Sequence, residues 1–439
     1  MRSWILHRAQ RVEGGIRVPG DKSISHRALL LGGLAEGTTE IHGFLWGEDC
    51  QATLKALAEV GVPVSSPPGG PIRIEGHGAD ALREPEAVLD AGNSGTCLRL
   101  LAGVLAGRPF LSILSGDASL RRRPIRRIVE PLAAMGARLD ARAGGQYPPL
   151  AIRGGELRGI TWQSPVASAQ VKSAILLAGL QASGETSVAE PALSRDHTER
   201  MLAAFGVPVH REGTRVTVPG RAQLRATSVV VPGDMSSAAF FVVAAAARPG
   251  AEVSLHGVGV NPTRAGILEA LEAMGARVEV AQPRIEAGEP VGDLSVRGAV
   301  LRGIRITPRQ IPGLIDEIPI LAVAAALAEG ETVIEGAGEL RVKEVDRLAA
   351  LAGELAKLGV DIREEGDALR IRGGRPLRGA RVSSRGDHRM AMSLAIAALA
   401  ADGETTIQDV ACVETSFPGF ADRLRTVAPE CGLREVSWD

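Results

Sequence analysis

Six times along its 439 residues, this chain runs through an alanine-rich apolar stretch, meets a glycine and turns into alternating, strand-like sequence. The instances are Ala35-Glu36-Gly37-Thr38-Thr39-Glu40-Ile41, Ala106-Gly107-Arg108-Pro109-Phe110, Ser183-Gly184-Glu185-Thr186-Ser187-Val188, Pro249-Gly250-Ala251-Glu252-Val253, Glu329-Gly330-Glu331-Thr332-Val333-Ile334 and Asp402-Gly403-Glu404-Thr405-Thr406-Ile407. Their glycines lie 66 to 80 residues apart. A second marker keeps phase with the first: helix-like segments end in glycine at Val60-Gly61-Val62, Met135-Gly136-Ala137, Phe205-Gly206-Val207, Met274-Gly275-Ala276 and Leu358-Gly359-Val360. Such glycines are expected at helix C-termini, where a left-handed conformation costs glycine little. The period predicts a unit of buried helix, strand, amphipathic helix, strand, strand. A chain of this length exceeds one ordinary core, so six units predict two α/β domains of three units each. Neither a Rossmann sheet nor a (β/α)8 barrel has that period.

Chemistry gathers at the front of each unit. The buried helices start at Gly20-Asp21-Lys22-Ser23, Gly92-Asn93-Ser94-Gly95-Thr96, Ala167-Ser168-Ala169-Gln170-Val171-Lys172, Gly233-Asp234-Met235-Ser236-Ser237, Ile315-Asp316-Glu317 and Gly386-Asp387-His388-Arg389. All six starts are polar and suited to capping. Taken alone, the first is an ordinary capped helix with basic surface residues. Threefold packing of the starts in each domain would instead gather positive helix ends facing one cleft, an anion site.

The bulk composition excludes several classes. Net charge is −1, so no global field draws the chain to nucleic acid or an anionic membrane. Aromatic residues make up only 3%, too few for base-stacking surfaces. The longest apolar run, Ala238 to Ala247, is too short to span a bilayer, and the N-terminal residues lack the apolar core of a signal peptide. Four scattered cysteines (Cys50, Cys97, Cys412, Cys431) form no CxxC pair and read as reduced buried thiols. No His and Cys spacing suits a metal. The expectation is a cytoplasmic protein without a structural metal.

Basic residues carry two further signals. Of 50 Lys and Arg residues only five are lysine: Lys22, Lys55, Lys172, Lys343 and Lys357. Lysines that persist in so arginine-rich a chain mark places that need a compact, titratable ammonium, above all Lys22 and Lys343; chance survival is the alternative. Leu120-Arg121-Arg122-Arg123-Pro124-Ile125-Arg126-Arg127 is either a solvated basic face, a nucleic-acid patch or, through Arg123-Pro124, a guanidinium on a stiff turn for bidentate anion contact. In Leu340-Arg341-Val342-Lys343-Glu344-Val345-Asp346-Arg347, a helix would put Lys343 and Arg347 on one face; alternating surface charge explains the same pattern.

Gly20-Asp21-Lys22-Ser23-Ile24-Ser25-His26-Arg27, Gly92-Asn93-Ser94-Gly95-Thr96, Arg123-Pro124, Ser168-Ala169-Gln170, Leu340-Arg341-Val342-Lys343-Glu344 and Asp387-His388-Arg389-Met390-Ala391 together resemble the signatures of the 5-enolpyruvylshikimate-3-phosphate synthase family. They stand in that family's order over nearly the whole chain. The resemblance implies a two-domain enolpyruvyl transferase fold of class α/β (α+β), an inside-out α/β barrel of six βαβαββ repeats. It places one domain at 20–233, the other at 1–19 with 234–439, and the active site in the cleft between them. It implies a monomer without a cofactor that joins phosphoenolpyruvate to the 5-hydroxyl of shikimate-3-phosphate, releasing phosphate, and that glyphosate inhibits.

Site residues follow from the same resemblance. Lys22, Ser23, Arg27, Ser168, Ala169, Gln170, Asp316 and Lys343 would hold shikimate-3-phosphate; Lys22, Gly95, Arg123, Gln170, Arg347 and Arg389 would hold phosphoenolpyruvate. Asp316 would take the 5-hydroxyl proton, with Lys22 and Glu344 the candidates for the other proton transfers. Asn93 and Thr96 would shape the turn at Gly95. Arg195 is a weaker candidate for the sugar phosphate, with Asp196 and His197 either supporting the residues that touch substrate or purely structural. Departures from the family pattern are Ala169 for a common serine, Thr415 for a lysine of some members and His26 for a frequent asparagine. Two other readings share the scaffold: UDP-N-acetylglucosamine enolpyruvyl transferase, whose reactive cysteine has no counterpart in Ser115-Gly116-Asp117-Ala118-Ser119-Leu120, and a non-catalytic anion-binding protein.

Overall fold

The computed structural model describes residues 2–67 and 70–437. Six helices form its interior: α1 (Lys22–Leu34), α2 (Gly95–Ala106), α3 (Ala169–Gly179), α4 (Met235–Ala246), α5 (Ile318–Leu327) and α6 (His388–Ala398). Beyond their first residues they are buried nearly all round, and α4 and α6 are buried over their full length. Each is followed by a strand: β1 (Ala35–His42), β2 (Leu111–Ser115), β3 (Thr186–Ala189), β4 (Glu252–Gly259), β5 (Glu331–Ile334) and β6 (Thr405–Gln408).

These strands centre six sheets with one repeated order. On one side of each lies a parallel strand, in order Ser228–Val230, Leu89–Asp90, Thr161–Gln163, Glu13–Ile16, Arg305–Ile306 and Arg381–Ser383. On the other side lies an antiparallel strand, Ile72–His77 beside β1 and Tyr147–Arg153 beside β2. The sheet strands Ile72–His77 alternate buried and exposed residues, so one face meets the helices and the other meets water. Helices inside and sheets outside make the α/β arrangement an inside-out barrel, with three repeats in each of two units.

By their internal packing, residues 20–232 with 285–289 form one unit, and 2–19, 233–284 and 290–437 form the other. Each has its own apolar core. The sixth sheet is completed from the far end of the chain: Arg2–Leu6 lies between β6 and Arg434–Ser437. Trp4 of that strand stacks on Phe420 at 5.5 Å, within a group that includes Phe240, Phe241 and Phe417. The sixth unit is therefore closed by both ends of the chain.

Helix starts agree with the capping expectation at four of six positions. Asp21 accepts the N–H of Ile24, Ser94 that of Cys97, Asp234 that of Ser236, and Asp387 those of Arg389 and Met390. Each such cap contributes about 1 kcal/mol. Ser168 and Glu317 make no side-chain cap. The second glycine series behaves as expected: Gly61, Gly136, Gly206, Gly275 and Gly359 all have φ between +83° and +113°. Of the first series Gly107 alone has negative φ, −87°, and simply ends α2. Among the described residues no helix is long and apolar enough to cross a membrane.

Close approach of α2 and α3 depends on Gly103, where an added Cβ would fall 2.2 Å from the Ala174 carbonyl oxygen. Gly103→Ala is therefore expected to lower unfolding stability by about 1–3 kcal/mol. A urea midpoint equal to or above that of the unaltered chain would contradict this packing.

Candidate active site

In the unit of residues 20–232, hydrogen bonds tie three helix starts into a triangle. His26 on α1 meets Ser94, the cap of α2, at 3.4 Å and Thr53 at 2.7 Å. Gln170 on α3 donates to Thr96 Oγ1 on α2 at 2.8 Å and accepts from Arg99 Nη1 at 2.7 Å. Arg27 on α1 donates to Ser173 Oγ on α3 and to Thr198 Oγ1, both at 2.7 Å, and to the Ser23 carbonyl at 2.9 Å. Lys22 leads α1 and pairs with Asp49 at 2.8 Å, its side chain 16% exposed. The ammonium is thus held at the rim of the triangle and stays within reach of solvent.

Arg123 sits in extended backbone before Pro124, as residues before proline prefer. Its guanidinium donates to both the carbonyl (3.1 Å) and the side-chain oxygen (2.5 Å) of Asn93. Asn93 therefore clamps Arg123, and Thr96 engages Gln170; both do more than shape a turn. Gly95 begins α2 with Arg99 and Arg123 beside it: a Cβ there would lie 2.5 Å from Arg99 Nη1 and 3.7 Å from Arg123 Nη1. Ala169 contributes its carbonyl, which accepts from Ser173 Oγ at 2.6 Å.

The other unit gathers its carboxylates and guanidiniums around Arg347, which is 1% exposed. Arg347 Nε pairs with Asp387 at 2.7 Å, Nη2 with Glu344 at 2.5 Å and Nη1 with Asp316 at 3.6 Å. Burial alone would lower this guanidinium, but Asp387, Glu344 and Asp316 more than reverse it and hold it firmly charged. Arg389 donates to the Asp316 carbonyl at 3.1 Å and faces its carboxylate at 3.5 Å. Asp316, Glu344, Arg347 and Arg389 thus form one cluster. Lys343 lies beside it, its ammonium pulled down by burial against the opposing attraction of Asp316.

Lys343 and Arg347 do not share a helix face. Lys343 is in extended conformation after a short 3-10 turn, and the helix begins only at Arg347, capped by Asp346. Thr415 contacts His388 Nδ1 at 3.3 Å and the Cys412 carbonyl at 2.7 Å, next to Arg389 in sequence terms through His388. Asp196 pairs with Arg200 and Arg211, and His197 with Glu289, which are structural ties. Burial pushes the thiols of Cys97 and Cys412 up to about 12 and raises those of Cys50 and Cys431 as well, so none is a ready nucleophile.

Sequence reasoning missed Asp49, Arg99 and the positioning role of Asp387. Arg99 carried a usable signal, being the one charged residue in the apolar body of α2. Asp49 carried none, because its pairing with Lys22 depends on how the following helix folds back.

Comparison with known proteins adds an independent line. The sequence model of the family described as EPSP synthase (3-phosphoshikimate 1-carboxyvinyltransferase) matches residues 6–424. Among similar proteins, a 3-phosphoshikimate 1-carboxyvinyltransferase of Desulforamulus reducens is 52% identical over 97% of this chain and 99% of its own. One of Desulforudis audaxviator is 55% identical over 96% and 98%. A solved EPSP synthase from Acinetobacter baumannii superposes with a TM-score of 0.88 at 45% identity, covering all of both chains.

The triangle also makes a pH prediction. Burial, then the charges of Lys22 and Arg27, hold the His26 imidazole well below the usual histidine range, so it stays neutral when folded. Below about pH 6.5 the unfolded chain binds a proton that the folded chain refuses, so stability is complete above that pH and lost as pH falls. The loss approaches about 1.4 kcal/mol per pH unit. His26→Asn should flatten the fall of the urea midpoint between pH 7.5 and 5.5; equal slopes in the two proteins would contradict it.

Proposed function

The chain belongs to the EPSP synthase family, and from that premise we propose how its residues carry out the family's reaction. The enzyme is a transferase of the shikimate pathway: it moves the enolpyruvyl group of phosphoenolpyruvate to the 5-hydroxyl of shikimate-3-phosphate and releases phosphate. Both substrates are anions, and the reaction moves protons without a redox step. It needs an acid, a base and strong positive compensation.

The observation that carries the residue-level reading is the cluster of Asp316, Glu344, Arg347 and Arg389. It sets two carboxylates against two guanidiniums, the pairing that proton transfer beside a bound anion requires. In our reading Asp316 takes the proton of the 5-hydroxyl as that oxygen attacks the central carbon of phosphoenolpyruvate. A proton from Lys22 or Glu344 reaches the methylene carbon, giving a tetrahedral ketal. The ketal then returns a proton from its new methyl group and expels phosphate, restoring the double bond.

Binding divides among the remaining groups. Lys22, Ser23, Arg27, Ser168, Ala169, Gln170, Asp316 and Lys343 hold shikimate-3-phosphate. Lys22, Gly95, Arg123, Gln170, Arg347 and Arg389 hold phosphoenolpyruvate. Lys22 serves both, and its pairing with Asp49 keeps the ammonium in place without enclosing it. Planar guanidiniums suit the bidentate carboxylate and phosphate contacts, while a point-like ammonium suits the proton step. The proposed enzyme acts as a monomer.

Three measurements test the reading. Phosphate release from phosphoenolpyruvate is expected with shikimate-3-phosphate as acceptor; release only with UDP-N-acetylglucosamine, or with neither acceptor, would overturn it. Lys22→Arg keeps the charge and loses the transferable proton, so turnover should fall by about 100-fold or more; a near-normal kcat would refute the proton role. Glyphosate, which carries a phosphonate and a carboxylate, is proposed to take the phosphoenolpyruvate groups near Gly95, beside Arg99 and Arg123. Inhibition should appear well below about 1 mM when phosphoenolpyruvate is not saturating, and weaker inhibition would count against that placement.

A further inference from the structure

The start of α3 lacks a side-chain cap of its own, yet the backbone N–H of Ser168 is not left to solvent. It donates at 2.8 Å to Oε1 of Glu190, the residue that follows β3 and is 4% exposed. Glu190 Oε2 pairs with Lys172 at 3.0 Å, and Ser194 Oγ lies within 2.9 Å of both carboxylate oxygens. Lys172, one turn into α3 and 3% exposed, also pairs with Glu199 at 2.7 Å. Glu199 adjoins Thr198, whose hydroxyl accepts from Arg27 at 2.7 Å and bonds Ser173 at 2.6 Å. A buried, continuous set of charges and hydroxyls thereby links the Ser168 turn to the Arg27 guanidinium.

We propose that Glu190 is a positioning residue for shikimate-3-phosphate, with Lys172 as the cation that orients it. The inference rests on the reading that Ser168, Ala169, Gln170 and Arg27 hold that substrate. Glu190 must accept bonds at both oxygens at once, from an amide on one side and an ammonium on the other. A carboxylate, with an acceptor at each oxygen, suits that arrangement. Water is excluded, so the bonds are strong and their loss is costly. The compact ammonium of Lys172 fits between two carboxylates at 2.7 and 3.0 Å, where a planar guanidinium of greater reach would not. The turn is therefore set before substrate arrives, and binding loses less conformational freedom.

Glu190→Gln tests this because an amide offers one acceptor and one donor. Whichever way it turns, either the Ser168 N–H or the Lys172 ammonium faces the wrong group. The KM for shikimate-3-phosphate should rise about tenfold or more, while the KM for phosphoenolpyruvate and kcat at saturation change much less. Adding Lys172→Met removes the ammonium and frees the amide oxygen for Ser168, so the double variant should recover part of the lost affinity. Should the amide variant not fold, Ser194→Ala leaves every charge in place and should raise the same KM about threefold. Equal rises for both substrates, additive effects in the double variant, or an unchanged KM in Ser194→Ala would overturn the proposal. Failure of the functional reading is separately visible, as absence of turnover with shikimate-3-phosphate by the unaltered enzyme.

Discussion

A helix that is apolar on every side can meet water only at its ends, and six such helices dictate this architecture. Their sides must be covered by other helices or by sheets, so three pack together in each unit and the sheets are driven outward. What remains for chemistry is the first turn. In α1 the exposure ends after Ser23, and from Ile24 to Leu34 every residue is buried. Polar side chains and unsatisfied N–H groups are thus concentrated at the same places by the demands of burial, before any substrate is considered. The repeat and the anion-ready helix start have one physical origin.

Helix ends alone are weak attractors, worth fractions of a kcal/mol to about 1 kcal/mol each. The protein adds buried guanidiniums, which are expensive unless compensated. Each is compensated by neighbours within its own unit: Arg347 by three carboxylates, Arg123 by Asn93, Arg27 by hydroxyls and a carbonyl. Among these neutral partners burial pulls the Arg27 guanidinium down to about 10, with Glu199 and Asp21 opposing. Arg27 touches only neutral oxygens, which suits the part in holding the sugar phosphate proposed for it. Arg347 is the opposite case. With carboxylates already around it, its part is to hold Glu344 and Asp316 in register as much as to attract.

Much of this was legible in the sequence because it is repeated or local. Periodicity exposed the six units, and the glycines after the amphipathic helices show the positive φ that their position in the repeat required. Asp21, Ser94, Asp234 and Asp387 could be read as caps from their place before apolar runs. The illegible parts are those in which distant segments supply a partner. Arg2–Leu6 completes a sheet with residues some four hundred positions away, and Asp49 reaches Lys22 across a helix and a strand. Glu317 looks like a cap by position, but Arg264 and Ser236 draw its carboxylate into a buried cluster with Asp234. Lys343 and Arg347 fit a helical spacing that the extended backbone at Lys343 does not honour.

Lysine usage shows how a compositional signal should be weighed. Lys55 and Lys357 are exposed, and nothing about them demands an ammonium over a guanidinium. Lys22, Lys172 and Lys343 are withdrawn from solvent, and each meets carboxylate charge: Asp49 for the first, Glu190 and Glu199 for the second, Asp316 for the third. By burial and pairing Lys172 belongs with the other two, although none of the family motifs includes it. The distinction is geometric. Lys22 keeps an opening to solvent, as the proton-transfer role proposed for it requires, whereas Lys172 is enclosed by two carboxylates and holds them. An ammonium enclosed by two carboxylates is an orienting device, and one that keeps an open side meets the first requirement of the proton step proposed for Lys22.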